Sequence, residues 1–302
     1  MKHRKQRRTL EGQENTLGWV FSAPALFAIL IIVLIPLLRS FAQSFQQLDL
    51  ARPAGNGWIG LGNYFALLKD QRFLNSLWIT VRFSLISVLL ELLLGLSIAL
   101  LLNNNFKGRG FVRGLMILPW AMPSIVNAAM WKWIFNADYG ALNAFLTQVG
   151  LMSAYKVWLS DPFWANALLI MANVWKEAPF TAIMLLAALQ TIPTHLYEAG
   201  RVDGANGWQR FSRITLPLLM PVMLMVSTLQ LIWGFQTFEL ITVITGGGPF
   251  SSTEMVALRV YATTFRSLSF GYGSAMAYLV FLVILIPVIF YTRESYKRII
   301  DY

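Results

Sequence analysis

Three apolar stretches carry polar and aromatic residues at one repeating interval. Trp120, Ser124 and Asn127 stand at i, i+4 and i+7, as do Asn173, Glu177 and Phe180, and Gln230, Gly234 and Thr237. In a helix that interval places all three residues on one face. Amide, hydroxyl and carboxylate groups beside an aromatic ring suit a sugar: the ring covers C–H faces while the polar atoms take hydroxyls. The same residue types also bind helices to one another inside a membrane. Glu177 draws most notice, because an ionisable group in an apolar stretch is costly; its local alternative is an ion pair with Lys176. Glu91 is a second acid of this kind, either functional or satisfied by a neighbouring helix. Arg82, nine residues earlier, lies near the opposite helical face and is no direct partner.

Other chemistries lack their parts. The chain has no cysteine and only two histidines, His3 and His195, which excludes disulfides, thiolate metal sites and a cysteine nucleophile. A histidine-rich metal or acid–base centre is equally unsupported. No Gly-x-x-x-x-Gly-Lys-[Ser/Thr] occurs, so the chain is not expected to hold ATP by itself. Gly246–Gly248 before Pro249 reads as a flexible hinge or turn. No nucleophile–base–acid set is evident.

The elements that must position these residues follow from composition. Of 302 residues, 57% are apolar and 13% charged, where soluble chains run near ~25% charged. The apolar residues fall into blocks of about 20, the length that crosses a bilayer. Six spans are predicted: Trp19–Ser40, Ser76–Leu102, Phe111–Phe135, Phe163–Leu189, Leu216–Leu240 and Tyr272–Tyr291. As helices they close their own backbone hydrogen bonds, which hydrocarbon demands. Prolines 24, 36, 119, 123, 179 and 287 mark expected kinks. Fourteen basic residues fall on the side of the termini and seven on the other, which makes the termini cytoplasmic by the positive-inside rule. The +10 net charge is therefore mainly a topology signal, not a nucleic-acid one. Residues 1–18 form a basic cytoplasmic tail, and Val20–Leu38 is too long and too proline-marked for a cleaved signal, so it reads as a retained first helix.

Between the fourth and fifth spans runs LQTIPTHLYEAGRVDGANGWQRFSRITLP, from Leu189 to Pro217. Pro193 stops the preceding helix. Thr194 is expected to cap a short helix from His195 to about Asp203, with Glu198 near its positive end. Gly204 supplies a left-handed C-terminal turn. Asn206 and Gln209 form a capping box that opens the next helix. Small residues in this excursion let another protein's backbone approach; the plainer alternative is a simple re-entry loop.

The spacing Glu198-Ala199-Gly200, then Gly204, then Ile214-x-Leu216-Pro217 resembles the signature loop of ABC-importer permeases, with Gly200 in place of the usual third alanine. Similarity to the carbohydrate branch extends over most of the chain after Trp19: Gly60-Leu61-Gly62-Asn63-Tyr64, Leu118-Pro119-Trp120-Ala121-Met122-Pro123, Trp158-Leu159-Ser160-Asp161-Pro162, Asn173-Val174-Trp175-Lys176 and Thr245-Gly246-Gly247-Gly248-Pro249. The chain resembles the larger maltose-importer membrane subunit and its glycerol-phosphate counterparts. It lacks that subunit's two extra N-terminal spans and large external insertion.

The resemblance implies an all-α polytopic membrane protein of six transmembrane helices, residues 19–302 forming the permease domain with a cytoplasmic coupling loop at 190–217. It implies a subunit of an ATP-driven importer that brings a sugar, oligosaccharide or sugar-like polyol across a prokaryotic inner membrane. Trp120, Ser124, Asn173, Glu177, Phe180, Gln230, Gly234 and Thr237 then line the solute site, and Glu198, Ala199, Gly200, Asp203 and Gly204 dock on the ATPase. The implied partners are a second, homologous permease, a cytoplasmic ATPase dimer that holds ATP and Mg, an extracytoplasmic solute-binding protein, the carbohydrate and lipid, with no nucleic acid. The chain itself needs no cofactor and is not an enzyme. The rival class is an ion-coupled secondary transporter that uses Glu91 and Glu177 as coupling acids.

Overall fold

The structure, a computed structural model, describes residues 19–300, with side chains to Glu294; the basic tail 1–18 lies outside the described residues. Two compact units are distinguished, one of residues 1–67 and 263–278, the other of residues 68–262 and 279–302.

The first unit holds α1 (Trp19–Ser44), a short antiparallel pair, β1 (Gln46–Gln47) with β2 (Gly57–Trp58), and α2 (Gly62–Leu67). Asn63 gives the Gly62-Asn63-Tyr64 segment a structural role. Its buried Nδ2 donates to Ser44 O and Gln46 O at 2.9 and 2.8 Å, so it closes the end of α1 and the start of β1 together. Tyr278 Oη donates to Leu37 O at 2.6 Å and ties α12 (Phe270–Ile300) to α1.

The second unit contains the long helices α3 (Gln71–Asn103), α7 (Pro162–Thr191) and α9 (Gly207–Phe235). Between the first two lie α4 (Arg109–Ala121), α5 (Ser124–Ile134) and α6 (Ala141–Gln148). Beyond them come α8 (Thr194–Val202), α10 (Glu239–Ile244) and α11 (Val256–Tyr261). Two starts are dictated by aspartates. Asp70 accepts from Arg72 N and Phe73 N, and Asp161 from Phe163 N and Trp164 N, each satisfying orphan donors of a first turn. Pro162 follows at the first helical position, where no N–H is needed.

Among the described residues, five helices are long and apolar enough to cross a membrane, six when α4 and α5 count as one broken span. The predicted third span is not one continuous helix. Met122 and Pro123 are extended, with ψ of 135° and 137°, and α4 and α5 meet at 92°. Proline Cδ drives the preceding residue out of helical geometry, which is why the break falls at Met122. The predicted fifth span ends at Phe235 rather than Leu240, and Leu240 belongs to α10. Thr194 does not cap α8: it is the first helical residue, and Pro193 occupies the cap position with no side-chain bond. Asn206 and Gln209 do form the reciprocal capping box, at 2.9 and 2.8 Å, and Gly204 is left-handed at φ +76°.

Apolar packing divides into two clusters. Ile79, Phe83, Leu168, Leu169, Ala172, Ile241 and Met255 belong to one; Ala99, Leu102, Leu185, Leu189 and Leu219 belong to the other. Along α3, residues 84–95 separate them, and along α7 residues 173–184 do the same. The buried polar residues Ser84, Ser87, Glu91, Thr181 and Gln230 occupy that middle layer.

The Trp-Leu-Ser-Asp-Pro segment before α7 is anchored by Asn143, which is fully buried in α6. Its Oδ1 accepts from Trp158 Nε1 at 2.7 Å and Lys156 N at 3.2 Å, while Nδ2 donates to Ala137 O and Lys156 O. Asn143→Ala would strand several buried groups, each costing about 1–3 kcal/mol when unsatisfied. We expect a loss of about 3 kcal/mol, read as a clear fall in the thermal midpoint of the detergent-solubilised protein; a midpoint equal to that of the unaltered chain would show the anchor to be dispensable.

Candidate functional site: a polar cavity between three helices

The middle layer opens into a cavity of about 340 Å³. Trp120, Ser124, Asn173, Glu177, Gln230, Gly234 and Thr237 all line it. They reach it by different routes than helical spacing alone supplies. Trp120 and Ser124 sit on opposite sides of the α4–α5 break, so they share the cavity because the chain bends, not because they share a helical face. Thr237 lies beyond the end of α9, where its hydroxyl donates to Trp233 O at 3.2 Å and its backbone N–H to Gly234 O. Phe180 is not among the lining residues. It stacks on Trp120 at 5.5 Å and meets Trp233 at 5.1 Å, backing the aromatic wall instead of forming it.

Asn127, Lys176, Trp233, Gln236, Glu239 and Leu240 complete the lining. Asn127 was on the polar stripe of its span and had the signal. Trp233 had one too, as the aromatic residue three beyond Gln230. Glu239 gave none, because it stands past a helix end that the apolar run conceals.

The polar groups are partly committed to each other. Lys176 Nζ lies 2.7 Å from Glu177 Oε1, and both side chains are 14% exposed. Their charges are thus met locally on the cavity wall. Gln230 Nε2 donates to Thr181 Oγ1 at 3.2 Å and toward Glu177 O at 3.4 Å, so it joins α9 to α7 as well as lining the cavity. Asn173 Nδ2 donates to Glu91 Oε1 at 2.9 Å. Glu91 and Arg82 do not pair; Arg82 lines a separate groove with Trp78, Phe163 and Phe250.

The signature-loop residues lie apart from the cavity, at the other end of α9. Glu198 and Ala199 are exposed on α8, as are Asp203 and Gly204 in the turn after it. Leu196 and Tyr197 pack against the apolar cluster that includes Leu189 and Leu219. Tyr197 Oη and Thr215 Oγ1 lie 3.0 Å apart, fastening α8 to the base of α9. Gly200 is half-buried, and a Cβ there would meet Ile214 Cδ1 at 3.3 Å. Among the described residues, no group of three or more histidine, cysteine, aspartate or glutamate side chains could hold a metal ion.

Residues 91–299 match the family described as the binding-protein-dependent transport system inner membrane component. The chain belongs to this family. As a member it is a multi-pass membrane permease subunit of a binding-protein-dependent importer, a transport component rather than a catalyst. That membership sets aside the ion-coupled reading of Glu91 and Glu177. The chain is 38% identical over 289 residues to the trehalose/maltose transport system permease of Thermococcus litoralis, covering 96% of this chain and 97% of that one. It is 37% identical over 274 residues to the sulfoquinovosyl glycerol permease of Agrobacterium fabrum, covering 91% and 88%. Among solved structures, a bacterial ABC transporter involved in import of the acidic polysaccharide alginate superposes with a TM-score of 0.82 at 25% identity, over 96% of this chain and 99% of that one.

Gly234 holds the cavity's floor against α3. A Cβ there would lie 2.6 Å from Ser84 Oγ and 3.3 Å from Ser84 Cα, so any side chain must push α9 and α3 apart. Overpacking of this kind costs roughly 1–3 kcal/mol. Gly234→Ala should lower both the thermal midpoint and uptake, and Ser84→Gly in the same chain should restore much of each. Equal loss in the single and double variants would place the defect elsewhere.

Proposed function

We propose that this permease subunit carries a neutral sugar, short oligosaccharide or sugar-like polyol into the cytoplasm. The observation that carries the reading is the make-up of the cavity wall. Trp120 and Trp233 contribute indole rings to the lining, and Ser124, Asn127, Asn173, Gln236 and Thr237 are hydroxyl- or amide-bearing residues of it. Among the described residues its one lining cation, Lys176, is already paired with Glu177, and Glu239 adds a further negative charge. A carboxylated or phosphorylated solute would meet net negative charge there, whereas a neutral polyhydroxyl solute meets groups that exchange hydrogen bonds with it one for one. The names of the trehalose/maltose and sulfoquinovosyl glycerol permeases support a carbohydrate-like solute.

The remaining assembly follows from the same reading. A solute-binding protein delivers the sugar from outside, as the alginate transporter's complex with its loaded periplasmic protein suggests. A second, homologous permease closes the other half of the pathway. A cytoplasmic ATPase dimer binds ATP and Mg and grips the exposed face of α8, with Glu198 offering a carboxylate to a basic residue and Ala199, Gly200, Asp203 and Gly204 allowing close approach. Both termini lie in the cytoplasm, consistent with the fourteen-to-seven division of basic residues.

Two experiments test this. In proteoliposomes holding the complete importer, labelled trehalose or maltose should accumulate with ATP, and a glucuronate-containing disaccharide should not; selective uptake of the acidic sugar would reverse the assignment. Glu198→Lys should leave the importer's membrane components folded and inserted while solute-stimulated ATP hydrolysis falls to the basal rate. Normal coupled hydrolysis in that variant would remove α8 from the docking role.

A further inference from the structure

Two adjoining hollows at the C-terminal end of α3 share no lining residue with the solute cavity. The larger, of about 560 Å³, is lined by Ile98, Leu101 and Leu102 of α3, Val112 and Met116 of α4, and Asn104 and Phe106 between them. Asn104 Nδ2 is engaged by Leu100 O at 3.1 Å, so the groove offers a ligand little but hydrocarbon. The smaller hollow, of about 360 Å³, is lined by Asn105, Phe106, Lys107 and Arg109. Phe106 belongs to both, so an apolar groove runs directly into a basic recess.

Local bonds build this junction. Gly108 is left-handed at φ +86° and lets the chain turn into α4. Arg113 Nη2 donates to Leu102 O at 3.1 Å and so covers an orphan carbonyl of the ending helix; its Nε is buried without a hydrogen-bond partner. Arg109 Nη1 donates to Asn105 Oδ1 at 2.9 Å, tying two walls of the recess together. Lys107 is exposed, and among the described residues neither it nor Arg109 nor Arg113 forms an ion pair. The sequence holds no acid between Glu91 and Asp138 to supply one.

The depth of the junction follows from the chain. Phe83 to Leu102 is a run of twenty residues in which Glu91 is the only ionisable group. As helix it measures about 30 Å, the thickness of the hydrocarbon core. With that run across the bilayer, Ile98 to Leu102 lie just inside one hydrocarbon boundary, and Asn105, Lys107 and Arg109 stand at the level of the headgroups.

We propose that the junction binds an anionic diacyl phospholipid, with its phosphate in the recess beside Lys107 and Arg109 and an acyl chain along the groove. The two hollows follow each other in the order in which the bilayer itself places hydrocarbon and phosphate. A free anion leaves the groove empty, and a lipid without net charge leaves the cations unneutralised. Each basic residue beside an anionic headgroup strengthens binding on the order of fivefold. The site is independent of which solute the importer carries, so a failure of sugar uptake leaves it standing.

The test takes the complete importer, purified in an uncharged detergent, and counts bound lipid by native mass spectrometry. Dioleoylphosphatidylglycerol should half-saturate the site at a concentration on the order of tenfold below that of dioleoylphosphatidylcholine, and salt should narrow the gap. Inorganic phosphate, at matched ionic strength, should not displace the lipid. Lys107→Gln with Arg109→Gln should weaken phosphatidylglycerol on the order of tenfold or more and leave phosphatidylcholine unchanged. Val112→Trp, which fills the groove and alters no charge, should weaken phosphatidylglycerol severalfold.

A preference for phosphatidylglycerol that survives in the double variant belongs to other basic residues and overturns the site. Displacement by inorganic phosphate, or full affinity in Val112→Trp, would show an anion recess with no acyl groove and overturn it equally. If the double variant sheds the ATPase subunits while its lipid affinity is unaltered, the recess docks that partner and the lipid reading is wrong. Should the double variant not assemble, Lys107→Gln alone decides: affinity for phosphatidylglycerol should fall on the order of fivefold, and an unchanged value is the adverse result.

Discussion

Close backbone approach at two glycines fixes the geometry on which the rest depends. A Cβ at Gly95 of α3 would lie 2.6 Å from Thr181 Cγ2 and 3.1 Å from Ala182 N of α7. At Gly234 of α9 it would meet Ser84 of the same α3. In a membrane, where lipid is as apolar as the helices, small residues are what allow helices to gain contact by nearing one another. Glu91 lies between Ser84 and Gly95, held where α3 is drawn against both neighbours. Only at that separation can its carboxyl reach Asn173 of α7, and only there can Gln230 of α9 reach Thr181. The cavity is the space left just beyond these contacts.

This arrangement lets a polar layer exist inside an apolar protein. Above and below it, leucine, isoleucine and phenylalanine side chains seal the helix pairs. Within it, Asn173 and Gln230 are each bonded to another helix while also lining the cavity. Bonding between helices and lining a cavity are therefore not exclusive alternatives for Gln230 and Asn173. Glu177 divides its labour in the same way, with one oxygen engaged by Lys176.

Much of this was legible in the sequence because the relevant physics is local or periodic. The apolar runs report spans, Asn206 with Gln209 reports a capping box, and the stripes on α7 and α9 report the polar layer. What was not legible depends on events that periodicity cannot record. Met122 and Pro123 break a run whose hydropathy never falters, and the bend, rather than helical phase, brings Trp120 beside Ser124. Phe180 shares the phase of Asn173 and Glu177, yet it is drawn aside by two indole rings that arrive from other helices. Thr237 and Glu239 lie past the end of α9, where an apolar count predicted continuing helix. Thr194 had the right side chain for a cap, but the rigid φ of Pro193 took that position first.

The run of chain from Gly207 to Gln230 has a mechanical consequence. It is helical throughout, with a π-helical turn at Phe211–Thr215 and a proline at 221, and at 1.5 Å per residue it spans about 35 Å. One end adjoins the elbow made by α8 and Gly204; the other bears the groups that touch α7. A rod of that length behaves as a crank: swinging it by about 10° displaces the far end by about 6 Å. The Gln230–Thr181 contact is 3.2 Å long, so it cannot stretch to follow. Either α7 travels with α9 or the contact parts outright. A rigid tilt of α9 about its α8 end would therefore register at the Gln230–Thr181 bond before it reached the apolar clusters.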